Sequence, residues 1–234
     1  MIDNELQKVL DAAKMKTVFT DISEEWLIDM VHSALSFENP TLTKTEVEEI
    51  LNHNMSKVAS VTSEKVQAVI NQKQAFNKIL EMVKNNEELD ENKLKDIHQL
   101  LAQGTCVIGG LYRNVNISVK GSNHTPCSHE KVYDRMRKYM DFLSTKPQGD
   151  IFEYIAYSHL QLAKIHPFLD CNGRLARMVL NYELMKHGYM PIIITYKDRD
   201  KYLNTLEKFK VEKNITPFIE FLKTLELQSL KAVL

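Results

Sequence analysis

His166, Asp170, Arg174 and Arg177 fall within one short stretch, His166-Pro167-Phe168-Leu169-Asp170-Cys171-Asn172-Gly173-Arg174-Leu175-Ala176-Arg177. Their types and spacing suit the handling of a polyphosphate. Arg174 and Arg177 are three apart, so on a helix they share one face near its start. A helix N-terminus adds free backbone N–H groups and a positive dipole end. Amides and two guanidinium groups together make an anion site, most naturally for phosphates. Gly173 lets the backbone approach a ligand closely. Asp170 precedes this nest, where a carboxylate can hold Mg²⁺ against phosphate oxygens. His166 is placed to act as a general base. Singly, each residue has a blander reading: a core histidine, a helix-capping aspartate, an arginine paired with an internal acid. All of these would have to hold at once in one loop.

Two helices must position this loop. Residues 150–165 carry Ile151, Phe152, Ile155, Ala156, Leu160, Leu162 and Ala163, the pattern of a largely buried helix. Pro167 disfavours helical geometry at the residue before it, so this helix should stop at His166. The next helix, over 172–187, is apolar nearly all round (Leu175, Ala176, Met178, Val179, Leu180, Tyr182, Leu184, Met185) and should run through the core. Further helices are expected near 4–14, 23–37, 43–53, 63–85, 91–103, 129–144, 199–210 and 215–229, with Ser23, Thr43, Ser63, Ser128 and Thr216 as caps or first-turn residues. One segment breaks the pattern. Arg113 to Ser122 alternates polar and apolar residues and reaches a Gly-Ser turn, which predicts a strand or short hairpin.

Composition agrees with a mainly helical enzyme domain. The chain has 234 residues, 44% of them hydrophobic, with seven Gly and six Pro, enough for one sizeable core. A formal net charge of −1 implies no bulk attraction to nucleic acid or membrane. No apolar run is long enough to span a bilayer. Cys106, Cys127 and Cys171 show no CxxC spacing and leave an odd count, which argues against a disulfide scaffold or zinc site and fits a reducing cytoplasm.

The loop closely resembles the signature of Fic-domain proteins, His-Pro-Phe-x-(Asp/Glu)-Gly-Asn-Gly-Arg-x-x-Arg, with Cys171 where that family usually has Gly or Ala. The resemblance implies a mainly α Fic fold: a helical bundle core with a short β-hairpin flap. It divides the chain into N-terminal helices at 1–55 and a catalytic core at 56–234, forming one compact unit. It also implies an AMP transferase that moves AMP from ATP to a Ser, Thr or Tyr hydroxyl of a target protein, and of the chain itself, releasing pyrophosphate. His166 would take the hydroxyl proton, Phe168 would anchor the loop, and Asp170 would hold Mg²⁺. Asn172, Gly173 and Arg174 would bind the α- and β-phosphates, and Arg177 the γ-phosphate. Asn181, one turn further on, would orient Arg177. Gly173 favours AMP transfer, because a phosphorylating subgroup has Lys there. Cys171 is either a small filler beside the nucleotide or a redox-sensitive thiol. Tyr202 is either an adenine contact or a packed helix residue.

Two regulatory or docking features come from the same resemblance. Val115, Asn116, Ile117, Ser118 and Val119 would form the flap edge that receives the target as an added strand. Glu38-Asn39, followed by Thr41-Leu42-Thr43, is similar to the end of the family's inhibitory helix. Glu38 would pair with Arg177 and block productive ATP binding. Ala34 stands where that helix has Ser or Thr, which makes the brake leaky. Other readings keep the fold but transfer UMP or phosphocholine, or remove AMP; a further one is a nucleotide-sensing binding module. The helical surfaces leave a homodimer open.

Overall fold

The computed structural model describes residues 2–37, 40–105 and 107–234. Its helices are α1 (Ile2–Lys14), α2 (Glu24–Ser36), α3 (Lys44–Leu51), α4 (Ser63–Lys84), α5 (Glu91–Ala102), α6 (Val132–Leu143), α7 (Ile151–Ile165), α8 (Asn172–Lys186), α9 (Arg199–Glu212) and α10 (Thr216–Ala232). Several begin at side-chain caps. Ser23 accepts from the Trp26 amide, Thr43 and Glu46 form a reciprocal capping box, and Asp90 and Asp150 cap α5 and α7. Ser63 is a first-turn residue, the first of α4 after Thr62, and Ser128 precedes a short 3₁₀ turn at His129–Lys131.

The core is organised around α8, which packs against α7, α4 and α5. Leu175, Ala176, Val179 and Leu184 are fully buried on it. Each buried aliphatic side chain of Leu or Val size contributes about 1.5–3 kcal/mol relative to exposure, so this helix is a rigid platform for whatever its N-terminus carries. The two helices before α3 pack on different partners. α1 lies on α10, where Lys223 bridges Asp3 at 2.8 Å and the α7 cap Asp150 at 2.7 Å. α2 lies on α3 and α4. Its last turn points residues toward α8, as described below.

The expected β-hairpin does not form: no strand occurs among the described residues. Residues 113–119 run as an irregular, largely exposed segment that ends in a turn from Val119 O to Ser122 N (3.1 Å), with Gly121 at φ +79°. The return strand is missing because the chain after the turn is held elsewhere. Glu207 of α9 accepts from the Ser122 hydroxyl and the Asn123 amide, both at 2.7 Å, and Pro126 has no N–H to give to a ladder. The alternation along 115–119 suggested a strand or hairpin, but either requires a partner.

Candidate active site

Two left-handed residues shape the loop between α7 and α8. His166 (φ +53°) ends α7, and Cys171 (φ +60°) begins α8. Neither is glycine, so surrounding contacts must hold both conformations. Phe168 is fully buried and supplies the anchor expected from the sequence. Asn172 sews the loop shut: its Oδ1 accepts from the Phe168 amide and its Nδ2 donates to the Phe168 carbonyl, both at 2.9 Å. The Asn172 side chain is therefore spent inside the loop, and only its backbone N–H is left to offer a ligand.

Two residues that the sequence reading passed over complete the scaffold. The His98 ring of α5 stacks on Phe168 with centroids 3.6 Å apart and planes within 8°. The Gly110 amide donates to His98 Nδ1 (2.9 Å), so Nδ1 is the acceptor nitrogen and Nε2–H donates to the Asp170 carbonyl (3.1 Å). Burial, more than any neighbour, lowers the His98 pKa and keeps this tautomer neutral. Arg113, 2% exposed, donates from its backbone to Pro167 O and from Nε to His166 O, both at 2.9 Å, and from Nη2 to Cys127 O. Neither residue could be assigned from local spacing, because their partners lie 72 and 53 positions away in the chain.

His166 is half-buried, with Nδ1 3.4 Å from Ala163 O. A proton on Nδ1 leaves Nε2 as the basic nitrogen. Burial, helped by Lys210 and Arg113, pushes the ring's pKa down to about 4 against opposition from the Ala163 carbonyl and Asp170. The imidazole is thus neutral, as a general base must be. Asp170 is exposed, with Oδ1 accepting from the Cys171 amide at 2.6 Å. A single outward carboxylate suits a Mg²⁺ that takes most of its ligands from substrate phosphates and water. Among the described residues no cluster of three or more His, Cys, Asp or Glu exists to hold a metal unaided.

The first intrahelical bond of α8 runs from Leu175 N to Cys171 O, so the amides of Asn172 and Gly173 precede its ladder, and Cys171 supplies no side-chain cap. Arg174 is buried, with Nη2 3.0 Å from Cys171 Sγ. A Cβ on Gly173 would meet Arg177 Nη1 at 3.4 Å, so the glycine keeps the helix entrance open beside that guanidinium. Arg177 itself is held by α2: Nη2 donates to Ala34 O at 3.0 Å, and the guanidinium lies over the Phe37 ring, 4.6 Å from its centroid. Glu38 lies outside the described residues.

Tyr202 takes the packed one of its two readings, and Asn181 finds another partner. Tyr202 is 2% exposed; its hydroxyl meets His159 Nε2 at 3.0 Å, and its ring packs among Phe37, Phe218 and Phe221. It is a core residue in this conformation, with no open face for adenine. Asn181 exchanges two hydrogen bonds with the Ile192 backbone and does not orient Arg177.

Helical bundle, buried Phe anchor and α8 entrance together define the class of protein. Residues 88–184 match the Fic/DOC family model. A curated relative named protein adenylyltransferase Fic from Nematostella vectensis is 33% identical over 143 residues, 60% of this chain and 33% of that protein. The protein of the same name from Drosophila willistoni is 28% identical over 205 residues, 84% of this chain and 40% of that protein. The chain thus spans about a third to two fifths of the length of these relatives. A crystal structure of a Fic-domain-containing signalling protein from Bacteroides thetaiotaomicron superposes with a TM-score of 0.83 at 20% identity, covering 98% of this chain and 95% of that one. At that identity the likeness concerns the fold.

Proposed function

We propose that this chain transfers AMP from ATP to a hydroxyl of a protein, itself included, and releases pyrophosphate. The observation that carries this reading is the shared loop. A neutral, shielded imidazole and the amide-rich, arginine-bearing start of α8 are fixed to the same anchor, Phe168. His166 Nε2 takes the proton of a Ser, Thr or Tyr hydroxyl as its oxygen attacks the α-phosphorus. The bond from that phosphorus to the bridging oxygen breaks, and pyrophosphate leaves with the electron pair. The amides of Asn172 and Gly173 and the Arg174 guanidinium hold the α- and β-phosphates, and Arg177 holds the γ-phosphate. Asp170 would hold Mg²⁺, which supplies charge neutralisation to the phosphates. The segment Val115–Val119, whose end carbonyls already accept from Arg113 Nη1 and Ser122 N, would receive the target segment on its remaining backbone groups.

The same geometry supports a brake. The guanidinium assigned to the γ-phosphate is engaged by the last turn of α2 through Ala34 and Phe37, and Glu38 follows Phe37 directly in the chain. Incubation with Mg²⁺ and ATP labelled on its α-phosphate, with cell lysate present, tests both parts. Label should enter protein weakly with the unaltered chain, strongly with Glu38→Gly, and not at all with Glu38→Gly/His166→Ala. Equal labelling by the unaltered and Glu38→Gly chains would dispose of the brake; no label from either would dispose of AMP transfer.

A further inference from the structure

A second feature lies beside the loop and plays no part in the chemistry above. A groove of about 560 Å³ opens next to Ile165, the residue before His166, and is bordered by Thr125 and Cys127 of the segment that follows the target edge. Its polar wall is cationic. Lys164 comes from α7, Arg135 from α6 and Lys213 from the left-handed end of α9, while Tyr157 and Phe209 form its apolar sides. None of Lys164, Arg135 and Lys213 has an acidic partner within ion-pair distance among the described residues, and neither does Lys210, which is 8% exposed. Glu207 acts on Lys210, but its oxygens already accept from the Ser122 hydroxyl and the Asn123 amide.

Among the described residues, other lysines and arginines of this chain also lack an acidic partner; these are set apart by converging from separate helices on one groove. The crowding has a measurable consequence. Burial, then Lys213, Arg135 and Lys210, push the Lys164 ammonium down to about 8, and the same lysines help to lower His124. Charges drawn from separate elements and left facing one another are stabilised by an anion that the chain itself does not contain.

We infer that this groove receives acidic side chains of the protein substrate, beside the hydroxyl that His166 serves. This rests on the AMP-transfer reading for the identity of the occupant as a substrate. The position fits it: a target strand laid along Val115–Val119 would carry its neighbouring residues past Thr125 and into the groove. The walls fit a polypeptide rather than a small anion, because Tyr157 and Phe209 match the methylene stems of glutamate and Arg135 can take a carboxylate with paired donors.

The test uses the full chain with Glu38→Gly and two fluorescent peptides, each with one threonine, flanked in one by glutamates and in the other by glutamines. Anisotropy should show the glutamate peptide binding roughly fivefold or more tightly at low salt, a preference that salt erodes. Lys213→Gln/Arg135→Gln should abolish the preference, and Lys213→Glu/Arg135→Glu should transfer it to a lysine-flanked peptide, a gain that misfolding cannot mimic. Equal binding of the glutamate and glutamine peptides, or a preference untouched by these substitutions, would overturn the inference. So would displacement of the glutamate peptide by inorganic phosphate at lower concentration than by free glutamate peptide, which would make the groove a phosphate site. AMP transfer is read separately. Charge-selective binding without label upholds the groove and sinks the activity; equal label on both peptides does the reverse.

Discussion

Arg177 reaches across from α8 to donate to the carbonyl of Ala34 in the last turn of α2, at 3.0 Å and across 143 positions of sequence. The contact is half of what such a helix end can offer. Beside it is a cavity of about 20 Å³ lined in part by Ser33, Ala34, Gln72 and Arg177. Gln72 Oε1 and Arg177 Nε are buried there without a hydrogen-bond partner among the described residues. A hydroxyl in place of an Ala34 methyl hydrogen would enter a cavity lined by both of those residues.

Ala34→Ser should therefore tighten α2 against α8. One added buried hydrogen bond is worth about 1 kcal/mol, so AMP transfer by the otherwise unaltered chain should fall roughly fivefold. Glu38→Gly and Glu38→Gly/Ala34→Ser should transfer AMP alike, because the brake is already released. An Ala34→Ser chain that labels protein as fast as its parent would show that the hydroxyl adds nothing to the helix's hold.

His98 joins the segment before the target edge to the catalytic loop through Gly110 N and Asp170 O. His98→Phe keeps a ring on Phe168 but strands the Gly110 amide, while the Asp170 carbonyl keeps only the Asn172 Nδ2 donor at 3.3 Å. Leaving a polar group unpaired costs about 1–3 kcal/mol, so the urea midpoint should drop by an amount worth about 1–3 kcal/mol. With Asp170 less well fixed, AMP transfer in the Glu38→Gly background should fall further than stability alone accounts for. Unchanged stability would mean that water replaces both bonds.

Gly109 tests the same junction sterically. A Cβ there would lie 2.6 Å from the Gln99 Cα, a backbone atom that cannot swing aside. Gly109→Ala should destabilise by about 1–3 kcal/mol as α5 is pushed off the segment. Thermal unfolding within a degree of the parent would show that the segment can move away at no cost.

The helices were legible because each carries its own signal, such as the nearly all-round apolar stretch of 172–187 and the capping Ser or Thr at 23 and 43. The polyphosphate loop was legible for a related reason, since its residues are neighbours in the chain. What escaped was settled by distant partners. His98 and Arg113 look like ordinary helix and loop residues until Asp170 and His166 arrive beside them. The resemblance offered Tyr202 as an adenine contact and Asn181 as the group orienting Arg177, while here His159 and the Ile192 backbone engage them. The hairpin failed on the same ground, because Glu207 captures the residues that a return strand would need. Nothing in the letter C at 171 announces a left-handed residue either.

That last position carries its own expectation. Cys171 sits at φ +60° with its side chain 2% exposed. Cys171→Gly relieves about 1 kcal/mol of backbone strain and loses a comparable burial term, so stability should stay within about 1 kcal/mol. Cys171→Val places a branched Cβ in the same conformation and should cost at least about 2 kcal/mol. Chemical denaturation of the three chains distinguishes strain from packing: if valine is tolerated as well as glycine, the left-handed turn is not imposed on this residue.

Acid should act on this protein through rings that the fold keeps neutral. Burial holds His166 and His159 each at about 4, below the ordinary histidine value of 6.5. Because the unfolded chain binds protons first as pH falls, their contribution to stability is fully present above about 6.5 and is lost as pH drops toward about 4. Urea midpoints should decline over that window, with a shallower slope in His166→Ala. The same shielding sets the catalytic profile. If Nε2 of His166 is the base, kcat/KM for AMP transfer by the Glu38→Gly chain should stay level from about pH 7 down to about 5.5 and fall only as the free enzyme's ring takes its proton. An acid limb centred near 6.5 would mean that the ring is solvated in the working enzyme, and that the buried arrangement seen between Ala163 and Arg113 opens before the hydroxyl is attacked.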